Sequence, residues 1–120
     1  MDIVVKDFQC TIADFGDCIV NTEGAMLGLL TNIFSDKSEQ ELKSMLGLGP
    51  SIGVNFNGKT LQLAEAQKIL DWAKQNEIAQ LPFWTIERAK GGCPGMVSAN
   101  CSGVTQERLD FTRFFQSFGK

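Results

Sequence analysis

Histidine is absent from the 120-residue sequence, and this absence removes several kinds of catalytic site. The commonest general base at neutral pH and the commonest protein metal ligand are both missing. A Ser-His-Asp or Cys-His hydrolase is therefore excluded. The glycines near Gly47, Gly49 and Gly53 do not form a G-x-G-x-x-G or P-loop pattern. We accordingly expect neither a metal nor a cofactor.

A surplus of positive charge and a long apolar run are also missing. The 11 basic against 14 acidic residues leave a net charge of −3, which disfavours nucleic acid as a partner. No run of 18 apolar residues exists, so we expect no membrane span. The first ten residues lack the basic start and long apolar core of a signal peptide. The length and the 43% hydrophobic content fit one globular domain, residues 1–120.

The four cysteines fall into two local pairs with the same separation, Cys10/Cys18 and Cys93/Cys101. Neither pair has the C-x-x-C spacing of a zinc or redox motif. Because loop-like segments separate the cysteines, the pattern favours two short disulfide-closed loops and an oxidising compartment. The alternative is four free thiols in a cytosolic protein.

Three segments have the composition of strands. Residues 2–8 contain the β-branched run Ile3-Val4-Val5, which suits a strand buried on both faces. Further strands are predicted at 50–56 and 80–86. Gly53 would lie inside the second strand, where we interpret it as relieving crowding.

Helical periodicity or capping signals mark four other segments. Helices are predicted at about 21–34, from the Ser38 capping box to Leu46, at 61–76 after an N-cap at Thr60, and at 105–118. The order of elements is therefore βα(α)βαβα. Strands that alternate with helices predict an α/β fold with a parallel sheet and right-handed crossovers.

Sites in parallel α/β folds form beyond the carboxyl ends of the strands. Asp7 lies there and could be a catalytic carboxylate, although hydrogen bonding to the next loop is the favoured interpretation. Trp84 could be a stacking platform for a sugar or aromatic ligand, or a core residue. Glu87 and Arg88 are interpreted as a local ion pair, and Trp72 as packing.

Five segments in this order resemble the C-terminal part of family 18 glycoside hydrolases, in particular compact bacterial and fungal chitinases. They are V-K-D-F (5–8), G-P-S-I-G-V-N (49–55), L-A-E-A-Q (63–67), L-P-F-W-T-I-E-R (81–88) and C-S-G-V-T-Q (101–106) with Phe111.

The resemblance implies a partial (β/α)8 TIM barrel. Family 18 catalytic domains are (β/α)8 barrels, and the matched segments correspond to roughly the last three β/α units. A complete barrel needs about 250 residues, so this chain would supply less than half of one.

The resemblance also implies hydrolysis of β-1,4-linked N-acetylglucosamine polymers, with the substrate's own acetamido group as nucleophile. The family's acid/base glutamate belongs to a D-x-x-D-x-D-x-E motif, which this sequence lacks. We therefore expect no catalytic residue in this chain and no activity from the chain alone. The alternative is a carbohydrate-binding or partner-binding remnant.

What the resemblance leaves is part of the sugar-binding floor: Asp7, Phe8, Asn55 and Trp84. Asp7 matches the acid of the family's M-D-Y-like motif, but Phe8 stands where the tyrosine is expected and Lys6 where the methionine is. Trp84 matches the tryptophan on which the sugar at the cleavage point stacks.

The expected partners follow from the same resemblance, and the expected location follows from the cysteines. The expected ligands are chitin or N-acetylglucosamine oligomers. Three barrel strands leave open edges, so we also expect self-association or pairing with a missing N-terminal half. The cysteine pairs place the parent protein outside the cell or in a periplasm.

Overall fold

A computed structural model gives the fold. Asp7, Phe8 and Cys10 lie outside the residues that it describes, so the predictions that concern them are not addressed by the structure. The described residues are 3–5, 14–56 and 58–119.

A short parallel sheet starts the fold. Strand β1 (Ile3–Val5) pairs in parallel with β2 (Leu46–Leu48). Two isolated parallel bridges extend this pairing: Gly47 of β2 bridges Gln80, and Ser51 bridges Trp84. The predicted strand at 80–86 is therefore reduced to two bridges. Pro82 lies between them and has no N–H to donate to a ladder.

The predicted parallel strand over 50–56 is confirmed only at Ser51, which bridges Trp84 in parallel. Strand β3 (Gly53–Val54) instead pairs antiparallel with β4 (Thr60–Leu61) and forms a hairpin. Gly53 has φ +71°, and a Cβ atom there would lie 2.0 Å from the carbonyl oxygen of Ser102. The interpretation of Gly53 as relieving crowding is confirmed, because only glycine combines this left-handed backbone with so close an approach.

Helix α1 (Phe15–Ile33) begins six residues earlier than predicted. The Asp14 side chain caps it by accepting a hydrogen bond from the Asp17 N–H at 2.9 Å. Helix α2 (Glu39–Lys43) has the predicted Ser38 capping box, but it ends before Leu46 because that residue joins β2.

Helix α3 (Leu63–Asn76) is close to its prediction, although its N-cap is Gln62 because Thr60 belongs to β4. Helix α4 (Asp110–Gln116) starts five residues later than predicted. Leu109, directly before it, is held in a left-handed conformation and donates its N–H to the Ala89 carbonyl.

The three longer helices pack side by side, with α3 between α1 and α4. Their apolar faces and β2 form one core. Its fully buried members include Ile19, Leu42, Leu46, Leu48, Ile52, Leu61, Ala66, Ile69, Ala73 and Phe111. The α/β class is confirmed as a partial α/β fold. None of the helices in the described ranges has the length and apolar character needed to cross a bilayer.

One acidic side chain lies within this core. Glu23 is on the buried face of α1, four residues after Ile19 and seven before Leu30. It is fully buried, and in the described part of the chain neither of its carboxyl oxygens has a hydrogen-bond partner. Burial raises the pKa of Glu23 to about 8, because it disfavours the charged carboxylate.

We expect this carboxyl group to make folding stability depend on pH. The raised folded-state pKa means that its contribution is complete below about pH 4.5 and is lost as the pH rises towards 8. Between these pH values the free energy of unfolding falls by up to about 1.4 kcal/mol per pH unit. Urea unfolding should show a Glu23→Gln variant gaining stability over the wild type progressively as the pH increases.

The exposed Glu107 supplies a matched control. Glu107→Gln should follow the wild-type pH profile in the same titration. A difference between Glu23→Gln and wild type that stays constant from acid to neutral pH would show that Glu23 is ionised in the folded protein.

Candidate binding cleft around Trp84

A cleft of about 300 Å³ opens where three segments meet. We call residues 51–56 the hairpin wall and residues 97–99 the loop wall, and Trp84 and Arg88 lie between them. The lining residues are Ser51, Val54, Asn55, Phe56, Trp84, Arg88, Val97, Ser98 and Ala99. The volume is at the lower end of the range for small-molecule sites.

Trp84 presents its ring to solvent. The backbone N–H of Trp84 donates to the Pro50 carbonyl at 2.9 Å, and the backbone carbonyl of Trp84 accepts from the Ile52 N–H at 3.0 Å. The backbone of Trp84 is thus fixed against the hairpin wall while 66% of the residue stays exposed. This exposure rules out the alternative of a core tryptophan. Trp72, in contrast, is partly buried against the core, so its packing role is confirmed.

Arg88 lies behind Trp84 and connects the two walls. It is 4% exposed. Its Nη1 donates to the Ile52 carbonyl at 2.6 Å and to Ser51 Oγ at 3.1 Å, and its Nη2 donates to the Val54 carbonyl at 2.7 Å. Its Nε donates across the cleft floor to the Ser98 carbonyl at 2.7 Å.

The predicted ion pair between Glu87 and Arg88 is wrong. Within the described part of the chain the Arg88 guanidinium donates to neutral oxygens, and burial lowers the pKa of Arg88. Glu87 instead accepts a hydrogen bond from Thr85 Oγ1 at 2.6 Å, and this bond lowers the pKa of Glu87. Neighbours in a 3₁₀ turn point in different directions, so adjacency in sequence did not bring the charges together.

The loop wall belongs to a disulfide-closed loop. The predicted bond between Cys93 and Cys101 is confirmed. Directly after it, the carbonyl of the fully buried Ser102 accepts a hydrogen bond from the Val54 N–H at 2.7 Å. Cys18 is buried, but Cys10 lies outside the described residues, so the first pair stays a prediction.

Two of the predicted site residues, Asn55 and Trp84, line the same cleft. The Asn55 amide nitrogen donates to the carbonyls of Ser51 and Gly53 at 3.0 and 2.9 Å. Both donors of this amide therefore brace the hairpin. Any contact of Asn55 with a sugar stays a prediction, as do the contacts of Asp7 and Phe8.

The cleft suits an uncharged ligand. Its described lining combines aromatic and apolar surface with hydroxyl and amide groups, and it contains no carboxylate. The one cation in it, Arg88, is buried and donates to carbonyl and hydroxyl oxygens. Over the ranges that the structure describes, no cluster of three Cys, Asp or Glu side chains could hold a metal ion. The cleft can bind and orient a neutral molecule, and its described lining offers no carboxyl group that could act as an acid.

Known proteins with solved structures share this arrangement of elements. The catalytic domain of a hyperthermophilic chitinase from Pyrococcus furiosus superposes with a TM-score of 0.84 and 32% sequence identity over 87% of this chain. Catalytic-site mutants of active domain 2 of a thermostable chitinase from Pyrococcus furiosus, complexed with chito-oligosaccharides, give the same TM-score and identity. The chain is chitinase-like.

Two curated relatives agree with this assignment. A probable bifunctional chitinase/lysozyme of Escherichia coli is 26% identical over 109 residues, which is 88% of this chitinase-like chain. Endochitinase 11 of Metarhizium anisopliae is 26% identical over 74 residues, or 61% of the chain. No protein-family model matches the sequence.

The chitinase-like chain spans a limited part of each of these proteins. It covers 35% of the Pyrococcus catalytic domain, 12% of the Escherichia coli protein and 14% of the Metarhizium protein. The chain therefore corresponds to a portion of a chitinase catalytic domain.

Phe56 and Arg88 lie in segments near the predicted strand ends, where a site was expected, but neither was assigned to the sugar-binding floor. Phe56 carries a signal in retrospect, because it directly precedes the Asn57-Gly58 turn, where a large apolar side chain is expected to be exposed. Arg88 carries none: its acceptors include main-chain carbonyls 34 and 36 residues away, which no local pattern reveals.

We expect the walls of the cleft to need the forked guanidinium of Arg88. In Arg88→Lys one ammonium group replaces five donors, so buried carbonyls lose their partners and stability falls by about 2 kcal/mol or more. Urea denaturation should show a lower midpoint with an unchanged slope.

Arg113→Lys is the matched control for this substitution. Arg113 is exposed and pairs with Asp110 on the surface of α4, where replacement should change the midpoint little. Equal midpoints for Arg88→Lys and Arg113→Lys would contradict a connecting role for Arg88.

Proposed function

We propose that this chain forms part of the sugar-binding cleft of a chitinase-like glycoside hydrolase, which acts on β-1,4-linked N-acetylglucosamine polymers. In this proposal residues 1–120 are a single unit that supplies the last three β/α units of a (β/α)8 barrel. The observation that carries the proposal is the exposed Trp84 ring in a cleft of a chitinase-like fold whose described lining holds no carboxylate.

The chemistry of Trp84 fits this ligand class. One face of a pyranose ring presents mainly C–H groups, which lose water favourably against the flat indole surface. The hydroxyl and amide groups of the sugar need neutral donors and acceptors, and Ser51, Asn55 and Ser98 line the cleft beside Trp84. Asp7 and Phe8 are proposed to contact the same sugar.

The chain is proposed to bind without catalysing hydrolysis. Cleavage of the glycosidic bond needs a proton for the leaving oxygen, and general acid catalysis contributes typically about 10²–10⁴-fold. The sequence contains neither the D-x-x-D-x-D-x-E motif nor any D-x-E triplet. The absence of a carboxylate from the described cleft lining favours the second candidate function, a carbohydrate-binding remnant, whenever no other chain supplies the acid.

The proposed location of the parent protein is extracellular or periplasmic. The bond between Cys93 and Cys101 supports this, because such bonds persist in oxidising compartments and are rare in the cytosol.

Titration with chito-oligosaccharides tests the proposal. We expect weak binding, seen as a change in tryptophan fluorescence, and a Trp84→Ala variant should lose about tenfold or more in affinity by calorimetry. The same oligomers should release no reducing ends when incubated with the chain.

The sequence has two tryptophans, so Trp72→Phe is the matched control. It should keep both the fluorescence change and the affinity, because Trp72 packs on α3 outside the cleft. Absence of binding, or equal affinities for Trp84→Ala and wild type, would refute the sugar site. Clear hydrolysis would refute the proposed lack of activity.

Self-association, or pairing with a missing N-terminal half, is the proposed protein partnership. The chain covers 35% of the Pyrococcus domain, and on the surface of α1 Leu29 and Ile33 are left largely exposed. Sedimentation velocity should therefore show a weight-average mass that rises with concentration. A monomer at every concentration would contradict this partnership.

A further inference from the structure

One asparagine of the sequence lies in the acceptor pattern of N-linked glycosylation. Only Asn100 is followed two positions later by a serine or threonine, and the residue between is not proline. Asn100-Cys101-Ser102 therefore matches the pattern N-x-S/T. A match this short also arises by chance, so the exposure and surroundings of the asparagine decide whether it can carry a glycan.

Asn100 is accessible and its side chain is not used by the fold. It lies directly after the loop wall, and it is exposed. Residues 89–108 around it contain no helix or strand. Within the described part of the chain, the Asn100 amide group has no hydrogen-bond partner, while its backbone N–H donates to Ser98 Oγ at 3.1 Å. A substituent on Nδ2 would therefore break no hydrogen bond between described residues.

Neighbouring residues at the end of the loop line different cavities. Ala99 lines the cleft that contains Trp84, whereas Asn100 lines a separate cavity of about 440 Å³. We call this second space the Asn100 cavity. Its lining residues are Ile86, Glu87, Ala89, Lys90, Asn100, Arg108 and Leu109. A glycan on Asn100 would start beside this cavity and leave the cleft open.

The Asn100 cavity suits the first sugar of such a glycan. Its volume lies within the range of small-molecule sites. Lys90 and Arg108 can donate hydrogen bonds to sugar oxygens, and Ile86, which is 56% exposed, offers apolar surface to the C–H groups of a sugar ring. The surroundings of Asn100 therefore provide both room and contacts for a sugar.

Ser102 indicates when the glycan would be added. It is fully buried, and its Oγ donates to the Lys90 carbonyl and to Gln106 Oε1. Cys101, between Asn100 and Ser102, is bonded to Cys93. The folded loop thus hides the hydroxyl that completes the acceptor pattern. Addition must come before the loop closes, while this segment is still extended.

We propose that Asn100 carries an N-linked glycan, which is added as the chain enters a secretory pathway. The donor is an oligosaccharide linked to a lipid diphosphate. Asn100 Nδ2 forms a bond to C1 of the first sugar, and the bond between C1 and the diphosphate oxygen breaks. The lipid diphosphate leaves with the electron pair, and the amide group loses one proton. This inference rests on the proposed location of the parent protein and narrows it to the extracellular one.

Secretion of the full chain from a yeast host, behind a cleavable leader, tests the assignment. Intact-mass spectrometry should show the wild type heavier than its chain by one glycan, and a peptide N-glycosidase should remove this excess. Asn100→Gln and Ser102→Ala should each have the mass of the bare chain, because each removes one essential member of the pattern.

Asn32→Gln is the matched control, since it replaces another exposed asparagine, which lies on α1 and outside any acceptor pattern. It should carry the glycan as the wild type does. A secreted wild type with the mass of the bare chain would overturn the inference. A glycan that remains on Asn100→Gln would do so as well.

Calorimetric titration of the secreted wild type with chito-oligosaccharides, before and after removal of the glycan, tests its placement. Equal affinities are expected, because Asn100 lines the Asn100 cavity and not the cleft. Weaker binding by the glycosylated form would overturn this placement. If neither form binds, the proposed sugar site fails, while the glycan found by mass still supports the assignment of Asn100.

Discussion

The cleft depends on the hydrogen bonds of one buried cation, Arg88. Its guanidinium reaches Ile52 and Val54 in one wall and Ser98 in the other, and these segments are far apart in sequence. Removing a cation from water is costly, and the cost is offset only when its donors are satisfied by well-placed acceptors. The two walls beside Trp84 are therefore joined because the chain solvates this charge with its own carbonyl groups.

The walls of the cleft contain little regular secondary structure, and a close backbone contact and a disulfide hold them in place instead. Gly53 lets the carbonyl of Ser102 approach the hairpin at a distance that any side chain would prevent. The disulfide between Cys93 and Cys101 closes the loop that carries Ser98. Gly53, the disulfide and the Arg88 guanidinium thus fix the two irregular walls of the cleft. Strands of only two residues could not do so by themselves.

The sequence allows prediction of those parts of the fold that local physical chemistry determines. The capping box at Ser38, the periodicity of α3 and the closely spaced cysteines each act over a few residues, and the predictions based on them were close. The early start of α1 was missed because Gly16 resembles a loop residue. In the structure Gly16 lies within α1, and its missing side chain allows Glu65 of α3 to approach closely. That contact is between distant segments and leaves no local trace.

The candidate site divides in the same way. Trp84 could be found from its place near a strand end and from the resemblance to chitinases. Its exposure could not be predicted, because it depends on two backbone hydrogen bonds to the segment around Pro50 and Ile52. The hairpin that carries Phe56 was missed because its strands are two residues long and reverse the expected parallel direction.

The lack of exposed charge in the described lining of the cleft affects how ligand binding there would depend on salt. Dissolved ions screen attraction between exposed charges over about 8 Å at physiological ionic strength, and sites that depend on such attraction weaken in brine. The described lining contains no carboxylate, and its guanidinium is enclosed by carbonyl and hydroxyl oxygens. A ligand held there by ring stacking and neutral hydrogen bonds would bind with about the same affinity at low and at high ionic strength.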